Sequence, residues 1–166
     1  MEQELMEVKV MGIVVDAKAS NPVVVLVDLN GQKALPIWIG VFEAEAISRG
    51  IEGVVTLRPM THDLLKQILD TLHTSLTRVV INDIKENTFY AKLHFNVDGN
   101  ELIVDSRPSD AIALAVRVKA PIFITQSVVE ATKSLGLLAT RFLDEHDELK
   151  TIIENMNPDD FGDFKM

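Results

Sequence analysis

The chain has 166 residues, 47% of them hydrophobic and 25% charged, enough for one domain with a sizeable core. Its formal net charge of −9 argues against non-specific nucleic-acid binding, which rests on lysine and arginine neutralising phosphates, so any nucleic-acid chemistry must use a local site. The absence of cysteine excludes disulfides, thiolate metal centres and cysteine nucleophiles. No run approaches a membrane span, and the acidic start Met1-Glu2-Gln3-Glu4 is unlike a signal peptide, so a soluble cytoplasmic protein is expected.

Residues 8–17 are β-branched and mostly apolar, with Gly12 suiting a bulge, and read as a strand. Ser20-Asn21-Pro22 makes a turn, and 23–29 is a second apolar strand. Asn30-Gly31 is a strong hairpin signal, so 32–39 returns antiparallel. A helix is expected over 41–49, with Ala44 and Ile47 inward, broken by Gly50 and Gly53. A short extended piece, 54–57, precedes Arg58-Pro59-Met60-Thr61-His62-Asp63. Thr61 suits an N-cap, and Leu64, Leu65, Ile68, Leu69 and Leu72 then fall at helical spacing.

Strands follow at 76–85 and 88–97, joined by Glu86-Asn87, and Asp98-Gly99 turns the chain into a third strand over 101–104. The next stretch, Asp105-Ser106-Arg107-Pro108-Ser109-Asp110, opens a helix that is apolar nearly all round from Ala111 to Val116, and such a helix is buried. Pro108 fits its first turn, Ser106 or Ser109 can cap it, and Asp110 suits its dipole. Arg107 does not, and calls for an anionic partner: Asp105, Asp110 or a bound anion. A short strand over 121–125 and a helix opened by the capping box Ser127-Val128-Val129-Glu130 come next, with Gly136 as its stop. The acidic run 145–148 reads as a solvated face. Leu149, Ile152, Ile153 and Met156 make an amphipathic helix, and Phe161 and Phe164 are expected to dock.

The order strand, strand, hairpin, strand, helix at 8–49 recurs at 76–117. The expected fold is therefore α+β: a mixed, mainly antiparallel sheet from two related β-β-β-α halves with helices packed around it. In this alignment Glu45-Ala46-Ile47 answers Asp110-Ala111-Ile112, which places two related helix starts where they can face one cleft.

Arg58-Pro59 and Arg107-Pro108 are each followed by a hydroxyl residue and an aspartate at a helix start. Arginine offers a planar fork for phosphate, a helix N-terminus offers N–H groups for the same anion, and aspartates hold divalent cations through oxygen. His62 is a candidate base or ligand. These are the parts of metal-assisted phosphodiester hydrolysis. Each part also has a plainer role: Asp63 and Asp110 as dipole partners, Arg58 and Arg107 as structural ion pairs, His62 as a hydrogen-bonded surface residue, Trp38 and Phe42 as core. His73 and His94 suggest no function.

Three stretches together resemble the motifs of the bifunctional nuclease family. They are Leu35-Pro36-Ile37-Trp38-Ile39-Gly40 with Glu43-Ala44 and Ala46-Ile47; Arg58-Pro59 with Thr61-His62-Asp63-Leu64-Leu65; and residues 105–115. The resemblance covers residues 7–135 and implies a nuclease-like domain over 1–135, with 136–166 as a helical tail on the same domain. It implies hydrolysis of both DNA and RNA. The motif positions carried over are Glu43, Arg58, Thr61, His62, Asp63, Asp105, Ser106, Arg107, Ser109 and Asp110. Chemistry then assigns Asp63, Asp105 and Asp110, with Glu43, as ligands of Mg²⁺ or Mn²⁺; His62 as base; Arg107 and Arg58 on phosphate; and Thr61, Ser106 and Ser109 on substrate. The competing expectation is a non-enzymatic anion- or nucleotide-binding regulatory protein whose motif residues lock the halves together. A homodimer through the tail is compatible with either, and no membrane contact is expected.

Overall fold

The computed structural model describes residues 4–15 and 20–135. The stop at Gly136, the acidic run, the helix around 149–156 and the docking of Phe161 and Phe164 lie outside them. In chain order the elements are β1 (Leu5–Val15), β2 (Pro22–Asp28), β3 (Ala34–Trp38), α1 (Val41–Glu52), α2 (Thr61–Thr71), β4 (Ser75–Lys85), β5 (Thr88–Val97), β6 (Asn100–Ser106), α3 (Pro108–Val118), β7 (Ile122–Thr125) and α4 (Gln126–Ser134). The strands form one seven-stranded sheet in the order β3-β2-β1-β7-β4-β5-β6. Every pairing is antiparallel except β4 with β7. The fold is α+β, and the two β-β-β-α units stand on either side of β7 as mirror-ordered meanders.

The turns follow local chemistry. Glu86 and Asn87 both have positive φ, as do Asp98 and Gly99, the geometry of two-residue hairpin turns that match strand twist. The Asn30-Gly31 turn is longer than the expected hairpin, and β3 begins at Ala34 rather than at residue 32. The cause is Asp28, whose Oδ1 accepts the N–H groups of Gln32 (2.7 Å) and Lys33 (2.9 Å) and so holds those residues in the turn. The segment 54–57 is irregular rather than extended strand.

By register, Val79, Ile81, Ile122 and Ile124 share one face of the sheet. Against it lies α3, with Ala111 to Ala115 all buried, as its all-round apolar sequence requires. Beside it α1 runs on through Gly50 to Glu52 and ends where Gly53 turns left-handed, with φ of 65°. Gly50 is not a breaker but a place of close approach. A Cβ there would lie 2.6 Å from Val116 Cγ2 and 2.7 Å from Arg117 Nη1, so α1 and α3 meet at this glycine. α2 is helical as expected, yet none of its residues is buried. It packs on α3 rather than on the sheet, and only Leu69 reaches the core. α4 starts at Gln126, ahead of the expected capping box, and Ser127 Oγ instead meets Thr125 Oγ1 at 3.0 Å.

Candidate functional site

Three helices begin near one another, and each carries an acid at its third position: Glu43 in α1, Asp63 in α2 and Asp110 in α3. An acid there faces the positive end of the helix dipole. It can also reach back to the cap, as Asp63 Oδ2 does in accepting the Met60 N–H at 3.1 Å. Met60 is the cap of α2, and Thr61 is its first helical residue. In α3 the cap is Arg107, not a serine: Ser106 Oγ donates to the Arg107 carbonyl at 2.9 Å, Pro108 occupies the first position, and Ser109 is buried.

Arg107 links two of these acids. Its Nε donates to Asp110 Oδ2 at 2.7 Å and its Nη2 to Asp110 Oδ1 at 3.1 Å. Its Nη1 donates to Glu43 Oε1 at 3.1 Å. Three of its five N–H groups are thereby used, and the side chain is 57% exposed, so two remain for an outside anion. Glu43 Oε2 is buried with no hydrogen-bond partner. A Cβ at Gly40, the cap of α1, would collide with that oxygen, so glycine leaves room for the carboxylate.

His62 Nε2 stands 3.0 Å from Asp110 Oδ1. A carboxylate only accepts, so Nε2 carries a proton, and in the neutral imidazole Nδ1 is then the nitrogen with the lone pair. The His62 hydrogen bond first, and then Arg107, hold Asp110 down at a pKa of about 2 against burial, which acts the other way. Asp110 in turn raises the affinity of Arg107 for its proton, with Glu43 adding to it.

The third acid belongs to a different cation. Arg117 Nε donates to Asp63 Oδ1 at 2.6 Å, and its Nη1 donates to the carbonyls of Ala46 (2.9 Å) and Ala113 (2.7 Å). Only 6% of the Arg117 side chain is exposed. Its hydrogen bond pulls the Asp63 pKa below the ordinary value. Sequence reasoning gave Arg117 no role. The signal was there: a cation at the end of an otherwise apolar buried helix must be paired.

The remaining candidates are more scattered. Arg58 and Thr61 are exposed, and the Arg58 carbonyl accepts the Thr56 hydroxyl. Asp105 lies opposite Lys92 in the β5–β6 register, whereas Ser106 lies opposite Ala91. Alternation along a strand therefore puts Asp105 on the sheet face away from the helices, apart from Asp63 and Asp110. Among the described residues no group of three His, Asp or Glu side chains is placed to hold a metal ion. The expected Asp63, Asp105, Asp110 and Glu43 ligand set does not fit a preformed Mg²⁺ or Mn²⁺ cage, because three of its carboxylates are engaged by arginines and the fourth, Asp105, faces away. Among the described residues, no helix is long and apolar enough to cross a membrane.

Together these features define a small α+β protein with a cluster of polar helix starts on one side of a sheet built from two β-β-β-α units. The family model of the bifunctional nuclease domain matches residues 24–135, and the chain belongs to that family. An uncharacterised protein of Mycobacterium tuberculosis is 40% identical over 165 residues, covering 93% of this chain and 97% of its own length. Bifunctional nuclease 2 of Oryza sativa subsp. japonica is 29% identical over 114 residues, 66% of this chain and 35% of the plant protein. Bifunctional nuclease 1 of Arabidopsis thaliana is 28% identical over 112 residues, 65% of this chain and 34% of its length.

Proposed function

We propose that this protein hydrolyses phosphodiester bonds of DNA and RNA in the cytoplasm, at the meeting point of α1, α2 and α3. The observation that carries the reading is the chain of contacts His62–Asp110–Arg107–Glu43. Asp110 fixes the His62 tautomer, so that Nδ1 takes a proton from an attacking water. The water oxygen bonds to phosphorus, the ester P–O bond breaks, and the departing oxygen is protonated from solvent. The two unspent N–H groups of Arg107 bind the phosphate, whose negative charge grows in the transition state. Arg58, Thr61 and Ser106 flank the site as substrate contacts. Mg²⁺ or Mn²⁺ would add charge neutralisation at the phosphate, but no step above depends on it, given the poor fit of the carboxylates.

A second reading is favoured by one observation: both arginines already have carboxylate partners, which tie α1 to α3 and α2 to α3. In that reading the site binds an anion or nucleotide without cleaving it. The deciding experiment is cleavage of single-stranded DNA, duplex DNA and RNA by highly purified protein, with Mg²⁺, with Mn²⁺ and with chelator, beside Asp110→Asn and His62→Ala. Cleavage lost in both variants supports the nuclease. Equal cleavage by all three proteins identifies a contaminant, and nucleotide binding without cleavage supports the second reading.

A further inference from the structure

The two halves of the sheet are buried differently. β5, in the second half, alternates: Phe89 and Ala91 are buried, whereas Tyr90 and Lys92 are exposed, the pattern of a strand covered on one face. β2 and β3, in the first half, do not alternate. Val23 to Val27 and Ala34 to Trp38 are unbroken apolar runs, and every one of these residues is buried, as in strands covered on both faces. Register separates the two faces. Ile122, which faces α3, lies opposite Val8; two residues on, Val10 lies opposite Leu26, and Leu26 opposite Leu35. Val24, Leu26, Leu35 and Ile37 therefore share the face on which α3 and its neighbour α1 lie. Val23, Val25, Val27, Ala34, Pro36 and Trp38 point the other way and oppose one another across the ladder. Of the described helices only α1 makes more than marginal contact with either strand, and α1 is on the inner side. The outer face is thus buried with no described element over it.

We propose that the chain's own residues 136–166 lie across this outer face, with Leu149, Ile152, Ile153 and Met156 against it. The other segments outside the described residues, 1–3 and 16–19, are too short to cover two strands, since β2 alone spans about 20 Å at roughly 3.3 Å per residue. Residues 136–166 are long enough and carry the right chemistry. Leu149, Ile152, Ile153 and Met156 fall at helical spacing, with Phe161 and Phe164 beyond them, and such side chains call for burial. A helical stretch of about 13 residues spans the same 20 Å at about 1.5 Å per residue. Charge agrees with this placement. Glu145, Asp147, Glu148 and Glu154 flank the apolar positions, and Lys9, opposite Val27 on β1, stands exposed at the rim of the outer face. A cover from the same chain also has an effective concentration that a second copy lacks. The cover bears on the site as well. β3 ends at Trp38, just before Gly40, the cap of α1, so the segment that holds β3 also holds the helix start that presents Glu43.

Trp38, on the outer face, is the chain's one tryptophan, and the chain has no cysteine. A single introduced cysteine can therefore carry a nitroxide that quenches Trp38 fluorescence at short range. The test uses the full chain labelled at Glu154→Cys, beside the apolar positions rather than among them, so that the cover is undisturbed. Trp38 emission should fall severalfold. The same label at Lys92→Cys should leave it unchanged, because β5 lies five strand spacings from β3, roughly 24 Å along the sheet at about 4.8 Å each. Without any label, Ile153→Asp should shift Trp38 emission to the red and raise its quenching by acrylamide severalfold, with an unchanged far-ultraviolet spectrum. Should that variant misfold, the label result decides. No quenching from Glu154→Cys overturns the proposal, as does a Trp38 open to acrylamide in the unsubstituted chain. Quenching of unlabelled wild type by a labelled copy that also carries Trp38→Phe overturns it too, and would show that a second molecule supplies the cover.

Discussion

The two β-β-β-α halves share a plan and differ in what stands at the helix start. In the second half the cap of α3 is Arg107 and the third helical residue is Asp110; in the first the cap of α1 is Gly40 and the third residue is Glu43. Position for position, Glu43-Ala44 answers Asp110-Ala111, and both alanines are buried. The alignment of Glu45 with Asp110 expected from sequence is therefore shifted by two residues. Glu45 is exposed and pairs with Arg49 on its own helix. The repeated plan carries twin carboxylates, and one arginine, present in the second half alone, holds both. The half that lacks the arginine has a glycine, whose missing side chain makes room for Glu43. A helix inserted between the halves, α2, contributes His62.

The largest expected effect comes from removing the seam between the halves. Arg117→Ala strands two carbonyls and Asp63 beside a buried gap, and the loss is about 3 kcal/mol, the low end for a broken buried pair, because Asp63 is 31% exposed and water takes up part of its lost contact. Calorimetry should show the melting temperature falling by about 10 °C. A drop of only a degree or two would mean that α2 is anchored by packing instead, which its lack of buried residues argues against.

Asp110→Asn probes the richer helix start. Partly exposed pairs are screened, so the expected loss at neutral pH is about 1–2 kcal/mol. Asp110 has a folded pKa of about 2 against an ordinary 3.8. Its contribution is thus present above about pH 4 and is lost as pH falls through about 2. The stability gap between wild type and variant should close over that window in denaturant titrations. A gap constant from pH 7 to pH 2 would show that the carboxylate charge is not what the site uses.

Gly50→Ala comes next. The intruding Cβ meets Val116 and an Arg117 guanidinium already tied to two carbonyls. Overpacking of about 1–3 kcal/mol is offset by about 1 kcal/mol of helix propensity, leaving a net loss of about 1 kcal/mol in chemical denaturation. Stabilisation would show that the helices can move apart freely.

The same residues explain what was legible beforehand. The start of α3 could be read because proline, acid and an apolar run are local signals. The duplicated order could be read from turn dipeptides and alternation. Other features depended on tertiary placement. Periodicity gave α2 an apolar face but cannot say what covers it. Gly50 reads as a breaker until another helix is known to touch it. Asp105 and Asp110 are near in sequence, yet a strand's alternation sends Asp105 to the far face, and that matters only once the helices are known to lie on one side. The pairing of Arg117 with Asp63 spans 54 positions, beyond any local pattern.

The finest test separates Glu43 from Glu45, two acids two residues apart in the same helix and so on opposite sides of it. Glu45→Gln removes one exposed pair with Arg49, worth about 0.3–0.5 kcal/mol at most, and should leave the proposed nuclease activity unchanged. Glu43→Gln removes the charge that steadies Arg107 Nη1 while keeping the shape, so its effect on stability should also be small. Its effect on function should not be. With only Asp110 to orient it, the guanidinium presents its free N–H groups less precisely, and the rise should fall mainly on KM if Arg107 binds phosphate in the ground state. A fall in kcat alone would instead place Arg107 on the charge that develops as the ester bond breaks. Equal kinetics for the two variants would mean that Glu43 has no part in placing the guanidinium, and that Asp110 alone sets the arginine.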